Sequence, residues 1–89
     1  MAIRLITYDL RKPGQDYKDF LKTVKEYSWA RLSESSYAVD TSETPKTIYE
    51  KLRPYMDEND YLMVMTLTTP YMGYNLQTVI DWLTKHLPQ

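Results

Sequence analysis

Residues 2–9 carry apolar or β-favouring side chains on both alternating sets. Ile3, Leu5 and Thr7 fall on one side, Ile6 and Tyr8 on the other. A strand covered on one face alternates apolar with polar; this weak alternation predicts a strand with both faces covered. Residues 61–67 repeat the pattern, with Leu62, Val64 and Thr66 set against Tyr61, Met63, Met65 and Leu67. Between the two strands, Arg11-Lys12-Pro13-Gly14 reads as a turn. A helix follows over residues 17–27, with Asp16 as its N-cap and Tyr17, Phe20, Leu21, Val24 and Tyr27 as its buried stripe. Two β-rich runs, 29–33 and 36–41, flank Glu34-Ser35 and predict a hairpin. Thr44-Pro45 starts a second helix, a capping hydroxyl followed by proline at the first helical position. Ile48, Leu52, Tyr55 and Met56 lie on one of its faces. Pro54 biases Arg53 away from helix, so a kink or an early end is expected there. Residues 57–60 form a polar loop. After the last strand, 68–75 is irregular around Pro70 and Gly73. A third helix over 76–87 presents Leu76, Val79, Ile80, Leu83 and Leu87, with Asn75 as its cap.

The order is therefore βαββαβ followed by α, in one domain spanning 1–89: a core over 1–67, then a Tyr-rich loop and helix over 68–89. Right-handed crossovers pair these strands into a four-stranded antiparallel sheet, an α+β fold of the ferredoxin-like kind. Two helices cover one face. The other face, apolar on the first and last strands, needs its own cover. Either the C-terminal helix or the same face of a second subunit can supply it. A symmetric homodimer is the expectation, since it adds core to a domain of marginal size.

Composition narrows the chemistry. The 89 residues contain no cysteine, so there is no disulfide framework, thiolate metal site or thiol nucleophile. No segment is long and apolar enough to span a membrane and none reads as a signal peptide, so a cytoplasmic location is expected. A formal charge of −1 argues against strong binding of nucleic acid over the whole surface, while leaving room for a local basic patch. Nine tyrosines fit a core rim, an interface or a base-stacking surface equally well. His86, the single histidine, falls in the last turn of the last helix, where the helix dipole favours it as a capping or surface residue. Lys18, Lys22 and Lys25 lie near one face of the first helix and read as a solvated face.

In the antiparallel sheet the end of the first strand lies beside the hairpin turn and the start of the last strand. Asp9, Glu34, Ser35, Ser36, Asp57, Glu58, Asn59 and Asp60 should therefore share one rim. Hard oxygen ligands at one edge suit Mg²⁺ or Mn²⁺, which are held by one or two carboxylates, waters and substrate phosphate. Asp9 is the least loop-like of these and the first candidate, as ligand and as catalytic residue, with Asp60 second. Arg11, Lys12 and Arg31 are candidates for flanking phosphates. An ordinary polar helix-to-strand connection accounts for 57–60 equally well.

Tyr8-Asp9-Leu10 followed by Lys12-Pro13-Gly14-Gln15-Asp16-Tyr17 resembles the CRISPR-associated protein two superfamily, in particular its SinR-like branch. Leu32-Ser33-Glu34-Ser35-Ser36-Tyr37 and the run from Leu52-Arg53-Pro54-Tyr55 to Asp57-Glu58-Asn59-Asp60 are similar to the same branch. The resemblance covers residues 3–67. It implies a ferredoxin-like homodimer that cleaves phosphodiester bonds in RNA or DNA, with the strand-one aspartates of both subunits holding Mg²⁺. Asp9 matches that aspartate by position, and Ser35 or Ser36 matches a hairpin serine near it; Tyr8, beside Asp9, joins the candidate substrate contacts. Other members of the superfamily are non-catalytic scaffolds, so fold alone does not imply hydrolysis. The Tyr-rich loop and last helix replace the extended tail of that family.

Three classes of function remain open: a metal-dependent endonuclease, a non-catalytic dimer binding a nucleotide, nucleic acid or protein, and a toxin or regulatory component. Tyr71, Tyr74 and Trp29 are the stacking candidates for the second.

Overall fold

A computed structural model describes residues 2–11 and 17–87. Among them are strands β1 (Ala2–Asp9), β2 (Ser28–Ser33), β3 (Ser36–Thr41) and β4 (Tyr61–Leu67), and helices α1 (Lys18–Val24), α2 (Pro45–Leu52) and α3 (Gln77–His86). The strands form one sheet in the order β2-β3-β1-β4. Every pairing is antiparallel, so β1 lies in the middle and β2 and β4 form the edges. No helix among the described residues is long and apolar enough to cross a membrane.

Local chemistry explains most of the element ends. Thr44 caps α2, its Oγ1 accepting the Thr47 N–H at 3.2 Å, and Pro45 takes the first helical position. Pro54 ends the same helix as expected: α2 stops at Leu52 and a 3-10 turn, Arg53–Tyr55, follows. The β2–β3 hairpin turns at Glu34-Ser35, with a register irregularity between Arg31 and Ser33. α1 is shorter than its sequence pattern, ending at Val24 without reaching Tyr27. Its anticipated cap, Asp16, lies outside the described residues.

The two sets of side chains on β1 enter two separate apolar clusters. Ile6 and Tyr8 pack with Tyr37 and Val39 of β3, Phe20 and Val24 of α1, and Ile48 and Leu52 of α2. Each fully buried Ile, Leu, Val or Phe in this layer contributes about 1.5–3 kcal/mol. Ile3 faces the other way and joins Ala38 of β3 with Val79 and Leu83 of α3, flanked by Leu32, Leu67, Tyr71 and Trp82. The second face is thus covered in part by α3 and the segment before it.

The cover is incomplete. Strand pairing sets Leu5 opposite Met65, Thr7 opposite Met63 and Asp9 opposite Tyr61, all on the face that carries Ile3. Tyr61, Met63 and Met65 are 63%, 59% and 41% exposed. α3 therefore seats on the β2–β3 half and leaves an apolar stripe over β1 and β4 open.

Candidate functional site

The rim expected from the strand directions assembles around the end of β1. The Tyr8 N–H donates to the Ser35 carbonyl at 3.0 Å, which holds the hairpin turn against β1. On the other side Asp9 pairs with Tyr61, the first residue of β4. The Arg11 N–H then donates to Asp60 Oδ1 at 2.6 Å, which fastens the chain leaving β1 to the loop entering β4.

The two candidate carboxylates have opposite environments. Asp9 is exposed and its Oδ2 lies 3.2 Å from the Arg11 guanidinium. That guanidinium also lies over the Tyr61 ring, 5.2 Å from its centroid. Asp60 is only 5% exposed. Besides Arg11, it accepts the Tyr17 hydroxyl at 2.7 Å and the Asp57 N–H at 2.8 Å, both on Oδ2. Burial alone would raise its pKa. The bonds from Arg11, Tyr17 and Asp57, with the nearby Arg53 guanidinium, more than offset that and hold it below the usual carboxylate range. The sequence made Asp60 a candidate ligand; the geometry gives both its oxygens to protein donors.

The remaining candidates divide in the same way. Tyr8 is buried, its hydroxyl donating to the Glu34 carbonyl at 3.2 Å. Burial and the neighbouring Tyr37 push its pKa up to about 12 against the lowering effect of Arg31, so it is a neutral donor at ordinary pH. Arg31 is exposed, but its Nε and terminal nitrogen point back to the carbonyls of Ser33 and Glu34 at 3.2 and 3.4 Å. Ser36 shares a 2.6 Å bond with Ser33, and the Ser35 N–H donates to Ser33 Oγ at 3.3 Å. Arg53 crosses the 57–60 loop and donates to the carbonyls of Asp57 and Glu58. Lys12 lies outside the described residues. Asp9 and Arg11 are thus the charged side chains of the rim that face solvent as a pair.

Among the described residues, no three His, Asp or Glu side chains gather as a metal site. One chain offers the exposed Asp9 carboxylate. One carboxylate with waters and a phosphate is within what Mg²⁺ accepts, so Asp9 is compatible as a donor with a hard divalent ion.

Two polar groupings away from the rim had no sequence signal. His86 is mostly enclosed rather than a surface or capping residue: its Nδ1 lies 2.5 Å from Asp40 Oδ2 and its ring stacks on Trp82 at 4.0 Å. Just past the same end of β3, the Tyr27 hydroxyl donates to Glu43 Oε1 at 2.6 Å and Lys51 to Oε2 at 2.9 Å. Burial and the Glu43 bond raise the Tyr27 pKa to about 12, while Tyr27 and Lys51 lower that of Glu43. Partners that far apart in the chain become neighbours only once the sheet exists. No family model matches this chain, and no curated protein or solved structure is similar to it.

Proposed function

We propose that the chain acts as a ferredoxin-like homodimer that hydrolyses phosphodiester bonds in RNA or DNA with Mg²⁺ or Mn²⁺. The strand order, read from the other edge as β4-β1-β3-β2, supports the ferredoxin-like assignment. One observation carries the rest. The exposed Asp9 stands at the end of the open apolar stripe, on the same face as Tyr61, Met63 and Met65. Two copies packed over that stripe about a two-fold axis bring both Asp9 residues to one interface. A hydrated divalent ion held there supplies an activated water and neutralises charge on the scissile phosphate. Arg11 pairs with the Asp9 carboxylate and orients it, and its guanidinium is placed to meet a phosphate next to it.

Asp9→Asn should cut cleavage of single-stranded RNA and DNA by about 100-fold or more, leaving the dimer intact by light scattering. Cleavage unaffected by that change, or by chelation, rejects the catalytic reading. A second reading, a non-catalytic dimer that binds nucleic acid, a nucleotide or a protein, is favoured by the engagement of Asp60, which removes the second candidate ligand and leaves Asp9 alone of the two. Under it, binding of a short oligonucleotide persists in chelator and in Asp9→Asn.

A further inference from the structure

The segment from Thr68 to Leu76 leaves β4 at one edge of the sheet and reaches β2 at the other before α3 begins. It thereby crosses the second face of the sheet, and α3 returns over the same face. The two do not close on each other. Between them is a cavity of about 210 Å³ walled by Leu32, Leu67, Tyr71, Ile80, Leu83 and Leu87. Among the described residues no Asp, Glu, Lys, Arg or His lines it; hydrogen-bonding groups in its wall come from Thr68, Asn75 and the tyrosines.

Both walls are fixed. Asn75 Nδ2 donates to the Leu32 carbonyl at 2.9 Å, which ties the crossing segment to β2. His86 and Asp40 tie the far end of α3 to β3 at 2.5 Å. Behind the cavity lies the buried Ile3, Ala38, Val79 and Leu83 cluster, so the space is bounded by packed side chains rather than by a loose tail. At its mouth Met72 and Tyr74 are 97% and 100% exposed, and the space around Gly73 is open, with nothing within 4 Å of where a Cβ would stand.

We propose that this cavity binds an uncharged, largely apolar molecule the size of a two-ring aromatic, with a single hydrogen-bonding group. Charge is disfavoured because an ion seated there would give up water on the apolar wall and find no charged partner among its lining residues. Size follows from volume: an apolar cavity of about 150 Å³ accepts benzene, and this one is larger by the space of a second small ring. A ligand seated there packs against Leu67 and Tyr71 on one side and Ile80, Leu83 and Leu87 on the other, with Met72 and Tyr74 at the mouth. The site stands apart from Asp9 and does not depend on the nuclease reading.

Indole is the probe, titrated into methyl-labelled protein and followed by NMR. The expected result is saturable shifts concentrated on Leu32, Leu67, Ile80, Leu83 and Leu87. Ile80→Trp, which fills the cavity from α3, should weaken binding at least tenfold while the spectrum stays dispersed; should that variant unfold, Leu67→Phe fills it from β4. Asp9→Asn should bind indole unchanged, whatever happens to cleavage. Shifts that rise without saturating, shifts that spread to Met63 and Met65, or affinity unchanged by the filling variant overturn the proposal. So does self-filling: concentration-dependent shifts at the same methyls without indole, removed by Tyr74→Ala, assign the cavity to a second copy of the chain.

Discussion

Asp60 and Asp9 are both aspartates at one end of the sheet, and three donors separate their roles. Arg11, Tyr17 and Asp57 fill the oxygens of Asp60, while Asp9 keeps solvent and one arginine. An asparagine at position 60 would retain one oxygen and turn an NH₂ toward groups that are themselves donors. Asp60→Asn should therefore cost about 1–3 kcal/mol for each donor left unsatisfied, read from urea unfolding. The pH dependence has a fixed sign. The folded-state pKa of Asp60 is depressed, so its stabilisation is complete above the ordinary aspartate value of about 3.9 and is lost as pH falls through the lower folded value. Acid unfolding of the Asn variant should be shallower below about pH 4 than that of the parent protein. Nothing in Asp57-Glu58-Asn59-Asp60 marks its last member, because the Arg11 and Tyr17 donors that bury it come from chain more than forty residues earlier.

At the scale of elements, signals confined to a few neighbouring residues were legible. Thr44-Pro45 and Pro54 located α2, and Glu34-Ser35 located the hairpin, because capping, a fixed φ and a tight turn act within one segment. The start of α3 was not. Its N-cap is Leu76, with no side-chain bond; Asn75 donates instead to Leu32 across the sheet and accepts from the adjacent Leu76 N–H. Leu76 itself, read as the first residue of the apolar stripe, is exposed, while Val79 and Leu83 are buried. A helix without a capped start relies on its tertiary seat, here Ile3 and Ala38 beneath and Asp40 at the end. His86→Ala leaves Asp40, whose Oδ1 is already buried without a partner among the described residues, without its His86 bond on Oδ2 as well. We expect a loss of about 1–3 kcal/mol, with amide exchange accelerating in α3 well before it does in β1.

Across the whole molecule, the sequence showed that β1 and β4 carry apolar residues on both faces, but not how far a single helix would reach. α3 has ten residues and lies over one half of its face, so Tyr61, Met63 and Met65 stay in solvent. The paired change Met63→Glu and Met65→Glu puts two charges on that stripe without touching the layer under α1 and α2. On the proposed dimer it should convert the sample to monomer by light scattering, with thermal stability of the isolated chain nearly unchanged; a dimer that persists places the interface elsewhere.

The central place of β1 also governs how the sheet comes together on folding. The first of the four strands in sequence is the one with neighbours on both sides, and both neighbours come later: β3 ends at Thr41 and β4 at Leu67. The hairpin Ser28–Thr41 is local and closes early, so one edge of Ile3, Leu5 and Ile6 is satisfied before β4 arrives. The second edge waits for pairings between residues 52 to 64 positions apart, from Asp9 with Tyr61 to Ile3 with Leu67. Until that pairing forms, an apolar strand lies open along one side, and it is there that a holding chaperone has most to protect.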